Sequence, residues 1–199
     1  MIDTLALGVI ALAVSVNVAA AASVTGADKK DFQLLKEIAT SVDRYTQFTI
    51  FDDVSAQVKD GYVTLSGKVT MPYKRDDIER RVSKINGVAG VRDEITVLPV
   101  STFDDDLRFK IARSIYGHSN FWNYAIMPNP PIHIVVEHGR VTLTGVVNSD
   151  LDRMLARSLA AQFNAFSVAS ELKTDAEVRE ALEKDAFEKG ALEQRGKSD

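Results

Sequence analysis

Residues 61–69 read Gly-Tyr-Val-Thr-Leu-Ser-Gly-Lys-Val and return at 139–147 as Gly-Arg-Val-Thr-Leu-Thr-Gly-Val-Val, identical at six of nine positions with a constant offset of 78. A repeat this long is a small domain in tandem, because the unit of a solenoid is usually shorter. What repeats is apolar and glycine-rich and contains no catalytic group, so the duplication copies a fold. The match extends outward. Leu34, Ile38 and Val42 correspond to Leu107, Ile111 and Ile115 at an offset of 73, Arg75 to Arg153 at 78, and Glu94-Ile95 to Glu171-Leu172 at 77. The five-residue change in offset places an insertion in the second copy, around the aromatic and proline-rich stretch 121–131.

Periodicity gives the elements of each copy. In the first, apolar positions 34, 35, 38 and 42 mark an amphipathic helix over 31–45. Val54, Ala56 and Val58 alternate with polar residues as in a half-buried strand, and Asp60-Gly61 reads as a tight hairpin turn. Val63, Leu65 and Val69 then face the core while Thr64, Ser66 and Lys68 face away, and Gly67 marks a bulge or the close approach of a helix. Residues 73–85 form a second helix, with Ile78, Val82 and Ile85 inward and Gly87 as its stop; Val91, Ile95 and Val97 make a third strand. The second copy places its elements at 103–117, 131–138, 140–147, 150–163 and 167–172, with Thr102 and Asp105 resembling a capping box and the acids 104–106 suiting the positive helix start. The fold class is α+β: two tandem α-β-β-α-β units, each a three-stranded mixed sheet with two helices on one face. Gly139 and Gly145 repeat the structural roles of Gly61 and Gly67.

This order, the turn glycine, the Val-Thr-Leu-Ser/Thr-Gly strand and the ending Asn86-Gly87-Val88 resemble the BON domain, named for bacterial OsmY and nodulation. The second copy departs from the pattern at Asn164-Ala165-Phe166 and in its insertion. The boundaries expected are 29–99 and 103–173 for the two BON-like domains, with 174–199 as a charged helical or disordered tail. The resemblance implies a non-catalytic protein of the periplasm or outer envelope, associated with phospholipid binding, envelope integrity and osmotic-stress tolerance.

The N-terminus agrees with export. Residues 5–22 are uncharged and end in Ala20-Ala21-Ala22, which reads 1–22 as a signal peptide; a retained N-terminal anchor is the alternative, and Asp3 stands where such leaders carry a basic residue. With no cysteine, each unit must hold by its core alone. Residues 29–100 carry 12 basic and 11 acidic side chains and 101–173 seven of each, too balanced to advertise nucleic acid. Gly87-Val88-Ala89-Gly90 has the spacing of a KH loop but no charge, and it joins a helix to a strand.

No constellation carries chemistry. His133 and His138, five apart on a strand, point to opposite faces and cannot chelate together. Asp104, Asp105 and Asp106 lack the ligand-rich loop that calcium needs. No nucleophile elbow or phosphate loop occurs, so neither catalysis, a cofactor nor a metal is expected.

Two features favour binding. Phe121, Trp122, Tyr124 and Met127 in the insertion, with Arg108, Lys110 and Arg113 on the preceding helix, form a candidate surface for anionic phospholipid or an envelope protein. The rival reading folds these aromatics back over the core. Val135 and Val146 replace polar Gln57 and Lys68 on the outer sheet face, which asks for a partner: the other copy, the linker 99–103, or the C-terminal segment. The functional expectation is phospholipid-surface binding, with a protein-interaction scaffold as the alternative.

Overall fold

The computed structural model describes residues 26–181; the expected leader and the tail beyond residue 181 lie outside them. The first unit comprises α1 (Gly26–Asp43), β1 (Asp53–Lys59), β2 (Tyr62–Val69), α2 (Pro72–Val82) and β3 (Gly90–Val97). β1 and β2 pair antiparallel, β2 and β3 parallel, in the order β1-β2-β3. Ile38 of α1, Leu65 of β2 and Ile78 and Val82 of α2 are fully buried in one cluster, so both helices lie on one face of the sheet. Each such side chain contributes roughly 1.5–3 kcal/mol by leaving water. The helix expected over 73–85 stops at Val82, and Gly87, with φ +98°, lies five residues further on in a turn.

The second unit repeats the order as α3 (Thr102–Tyr116), β4 (Ile132–Glu137), β5 (Arg140–Val147), α5 (Asp150–Ala160) and β6 (Ser167–Ser170). The insertion adds a 3-10 turn at Ser119–Phe121 and α4 (Trp122–Ala125), and a short β7 (Lys173–Thr174) follows β6 along the same central strand. Residues 175–181 are helical. The α3 cap is Ser101, whose hydroxyl accepts the Asp104 N–H at 3.2 Å, one residue before the expected box. His138 is not on the strand: it sits in the β4–β5 turn at φ +51°, followed by Gly139 at φ +74°.

Gly67 and Gly145 need their lack of a side chain. At φ +126° and +115°, a Cβ would run into the carbonyl oxygens of Asp53 and Pro131. The close approach is by the start of the neighbouring strand, not by a helix.

The two units meet back to back. Asp52 is fully buried and accepts from the Thr49 N–H (2.8 Å), the Thr70 N–H (2.7 Å), both threonine hydroxyls and Lys74 Nζ (2.6 Å). This knot ties the loop before β1 to its own unit, and the loop so held meets the second unit. The Ile50 carbonyl accepts the Ile134 N–H at 2.7 Å, and the Asp52 carbonyl lies 2.7 Å from His133 Nδ1. Phe51 meets Phe109 edge-on at 5.3 Å. The outer edge of β4 is thereby covered, and Lys68 of β2 pairs with Glu137. Val135, between His133 and Glu137 on that face, and Val146 are both buried. Of the three partners the apolar face admitted, the structure supplies the first copy.

Candidate functional site

Because the back of the second sheet is taken by the first unit, its helical layer faces outward. α3 and α5 pack on the inner sheet face through Leu107, Ile111, Ile115, Ala156 and Leu159. α4 is fixed at the start of α5 by one phenol: Tyr124 Oη donates to Asp152 at 3.0 Å and accepts the Asn148 N–H at 2.8 Å. Burial is the main reason that phenol is pushed up to about 12, so it stays protonated and keeps donating.

The candidate surface divides. Phe121 is fully buried and Tyr124 nearly so; both belong to the core, as the rival reading held. Arg108 is also buried: its guanidinium donates to the Val136 carbonyl at 2.6 Å and pairs with Asp105, so it cannot meet a phosphate. Lys110 is exposed but paired with Asp106 at 2.6 Å. Arg113, in the last turn of α3, is exposed and makes no ion pair among the described residues. Trp122 is 66% exposed and Ile126 65%, with Met127 exposed beside them. The register of a four-residue helix decides this outcome: residues 121 and 124 face the sheet, so 122 and 126 face water.

Several exposed apolar groups escaped the sequence reading, among them Leu151, Met154 and Phe166 of the second unit. Leu151 and Met154 lie three apart on the solvent side of α5. Phe166 is 78% exposed and tilts against Phe103 at 6.4 Å, over Gly139. The spacing of Leu151 and Met154 was a visible signal, hidden by the stronger core stripe of the same helix. Two shallow grooves flank Phe163. One of about 440 Å³ is lined by Met154, Arg157, Ser158, Ala161, Ala165 and Val168, and one of about 280 Å³ by α3 and the turn after α5. Among the described residues no cluster of His, Asp and Glu is arranged to hold a metal ion, and no helix is long and apolar enough to cross a membrane.

The chain is 26% identical over 117 residues, 55% of its length and 77% of the relative's, to the potassium binding protein Kbp of Escherichia coli O6:H1. Among solved structures it resembles the C-terminal domain of CdsD, the structural protein of the type III secretion system of Chlamydia trachomatis. That likeness has 16% identity over 76% of this chain and 71% of that one, with a TM-score of 0.33. A second CdsD structure matches at 13% identity, over 74% and 97% of the two chains, with a TM-score of 0.26. The family model of the BON domain matches residues 30–99 and again 104–176. Two matched segments that together fill most of the chain, each folded as α-β-β-α-β, make this chain a member of the BON domain family.

Proposed function

We propose that this protein is an exported, non-catalytic envelope protein that binds anionic phospholipid surfaces through the helical layer of its second BON domain, in support of envelope integrity under osmotic stress. The observation that carries the reading is the exposure of Trp122 on α4, and of Ile126 and Met127 in the turn after it, while Phe121 and Tyr124 are buried in the core. An indole and two aliphatic side chains on a rigid platform suit the membrane–water interface, where an apolar body and a polar edge are both satisfied. Arg113 lies on the helix that precedes this platform and supplies the unpaired cation that an anionic headgroup attracts. Leu151, at the end of α5 where Tyr124 anchors α4, extends the apolar area.

The test is a vesicle titration read by the chain's single tryptophan. Trp122 starts exposed, so its emission should shift to the blue with phosphatidylglycerol vesicles, not with phosphatidylcholine, and return on adding salt. Trp122→Ala with Arg113→Glu should abolish co-sedimentation. Undiminished binding by that double variant, or no shift at any vesicle concentration, would overturn the reading.

The second reading, a protein-interaction scaffold, is favoured by one observation that the lipid face does not use: the open groove beside the outer strand of the second sheet.

A further inference from the structure

The two units treat their outer sheet edges differently. In both, the last strand is the edge: β3 in the first and β6 in the second. Exposed edges invite pairing by another chain, and proteins blunt them with charge. β3 is guarded in this way. Asp93 turns its carboxylate to accept the N–H of Ile95 at 2.9 Å, closing a donor of its own strand. Arg75 comes within 3.7 Å of the same carboxylate, and Arg92 pairs with Glu94 at 2.7 Å.

Of that guard only Glu171, the counterpart of Glu94, is kept, just past the end of β6. At the offset of 77 that aligns the strands, Arg92 becomes Ala169 and Asp93 becomes Ser170, and β6 as a whole reads Ser-Val-Ala-Ser. Arg153, the counterpart of Arg75, is turned away toward Asp150 and Glu177. The Ser170 hydroxyl is buried and has no partner among the described residues. Glu171 donates its N–H inward to the Leu143 carbonyl, in the register that pairs Leu143 with Ser170, and alternation along a parallel strand turns the Ser170 and Val168 backbone groups outward.

Beside this edge runs the groove of about 440 Å³, between β6 (Val168) and α5 (Met154, Arg157, Ser158). Its walls are mainly apolar, and Arg157 at the rim is exposed without an ion pair among the described residues. A weakly guarded edge next to an apolar groove is the arrangement by which folded domains take up an extended peptide: the backbone pairs with the edge and alternate side chains enter the groove.

We infer that β6 and α5 form a docking site for an extended segment of a partner protein, which adds as a strand to β6, buries an apolar side chain against Met154 and Val168, and places a carboxylate on Arg157. Arg157 selects the acidic partner, and the four-residue edge suits a short peptide better than a permanent interface. The site shares no residue with the lipid-facing platform, so the two stand or fall separately.

The experiment uses the isotope-labelled full chain and a blocked peptide of about seven residues, alternating valine and threonine around one phenylalanine, with glutamate or lysine beside it. The glutamate probe should move the Val168 and Ser170 amide signals and the Met154 methyl, and should slow hydrogen exchange at the two amides. The lysine probe should bind about tenfold more weakly. Arg157→Glu should reverse that preference, and Ala169→Lys, which restores an edge charge at an exposed position, should abolish binding by both while leaving the spectrum otherwise native. Three results would overturn the inference. One is equal binding by Ala169→Lys, or shifts located elsewhere. Another is a concentration-dependent dimer, dissolved by Ala169→Lys, which would give the edge to a second copy. The last is probe binding only after removal of residues 182–199, which would give it to the chain's own C-terminal segment.

Discussion

Asp104 reaches from the first turn of α3 to accept the N–H of Gly139 at 2.7 Å and that of His138 at 2.9 Å, so one carboxylate holds the β4–β5 turn. Asp31, its counterpart in the first unit, does the same for Gly61 (3.0 Å) and Asp60 (2.7 Å). The two differ in burial: Asp104 is 1% exposed, whereas Asp31 is half-exposed and shares its turn with solvent. Replacing Asp104 with Ala leaves two turn donors without an acceptor in a buried place. The expected cost is about 2–4 kcal/mol, with faster exchange of both amides; Asp31→Ala should cost about 1 kcal/mol. Urea unfolding with amide exchange checks both, and equal costs would show that burial does not set the strength of this clamp.

Gly67 and Gly145 make a second matched pair, and alanine at either meets backbone rather than a side chain that can turn aside. Backbone carbonyls of a paired strand cannot retreat without breaking the ladder. Each substitution is expected to cost about 3 kcal/mol or more, from strain at positive φ and loss of strand register. Alanine at Gly87, where nothing lies within 4 Å, should cost about 1 kcal/mol, from the positive φ alone. Thermal unfolding of the three variants gives the order, and a Gly87→Ala loss as large as the others would remove close approach as the reason.

The order of elements and the hairpin turns of both units, and the inward residues of the first, were legible because each follows from a period of two or 3.6 and from one glycine. The division of the aromatic insertion was not. Phe121 and Trp122 are adjacent and chemically alike, and only the register of α4 sends one to the core and the other to water. Arg108 misled for a similar reason: its spacing from Arg113 suggests one basic face, but the i, i+5 step carries it round the helix to the Val136 carbonyl. Asp104 was read as helix-start charge, which is true of its position but omits the turn that it holds from 35 residues away. The edge contrast between β3 and β6 was present in the aligned sequence, but it has meaning only once both strands are known to be outermost.

Two neighbouring aspartates should give opposite pH dependences. Burial alone would raise the Asp52 carboxyl, but Lys74, with donors from Thr70 and Thr49, outweighs it and holds the group below its usual range. Its contribution is present above the ordinary carboxylate value of about 3.9 and is lost as pH falls toward the lower folded value. Asp53 is raised by burial, with His133 pulling the other way. For a raised acid the folded state binds the extra proton, so stability falls as pH rises from about 3.9 through the folded value. Asp53→Asn should flatten that fall and be neutral or stabilising at pH 7. Asp52→Asn should cost about 3–5 kcal/mol there, because it strands a buried ammonium. Unfolding curves of the two variants between pH 3 and 8 decide the matter; slopes of the same sign would refute the assignment.

The interface between the units rests on a covered edge and a charge pair of different worth. Lys68 and Glu137 are both more than a third exposed, so their pair is expected to contribute no more than about 1 kcal/mol. Lys68→Glu should therefore loosen the packing only slightly, and the double exchange with Glu137→Lys should restore it. Val135 lies between the sheets, and Val135→Asp would bury a charge with no cation provided for it. That variant is expected to separate the units while each keeps its own fold, since Val135 faces away from the inner core that α3 and α5 share with Ile134 and Val136. Small-angle scattering should then show a larger radius of gyration with unchanged helix content. If instead the second unit unfolds, the back-to-back contact is a condition of its stability, and the loop tied down by Asp52 and Lys74 belongs to the fold of both units.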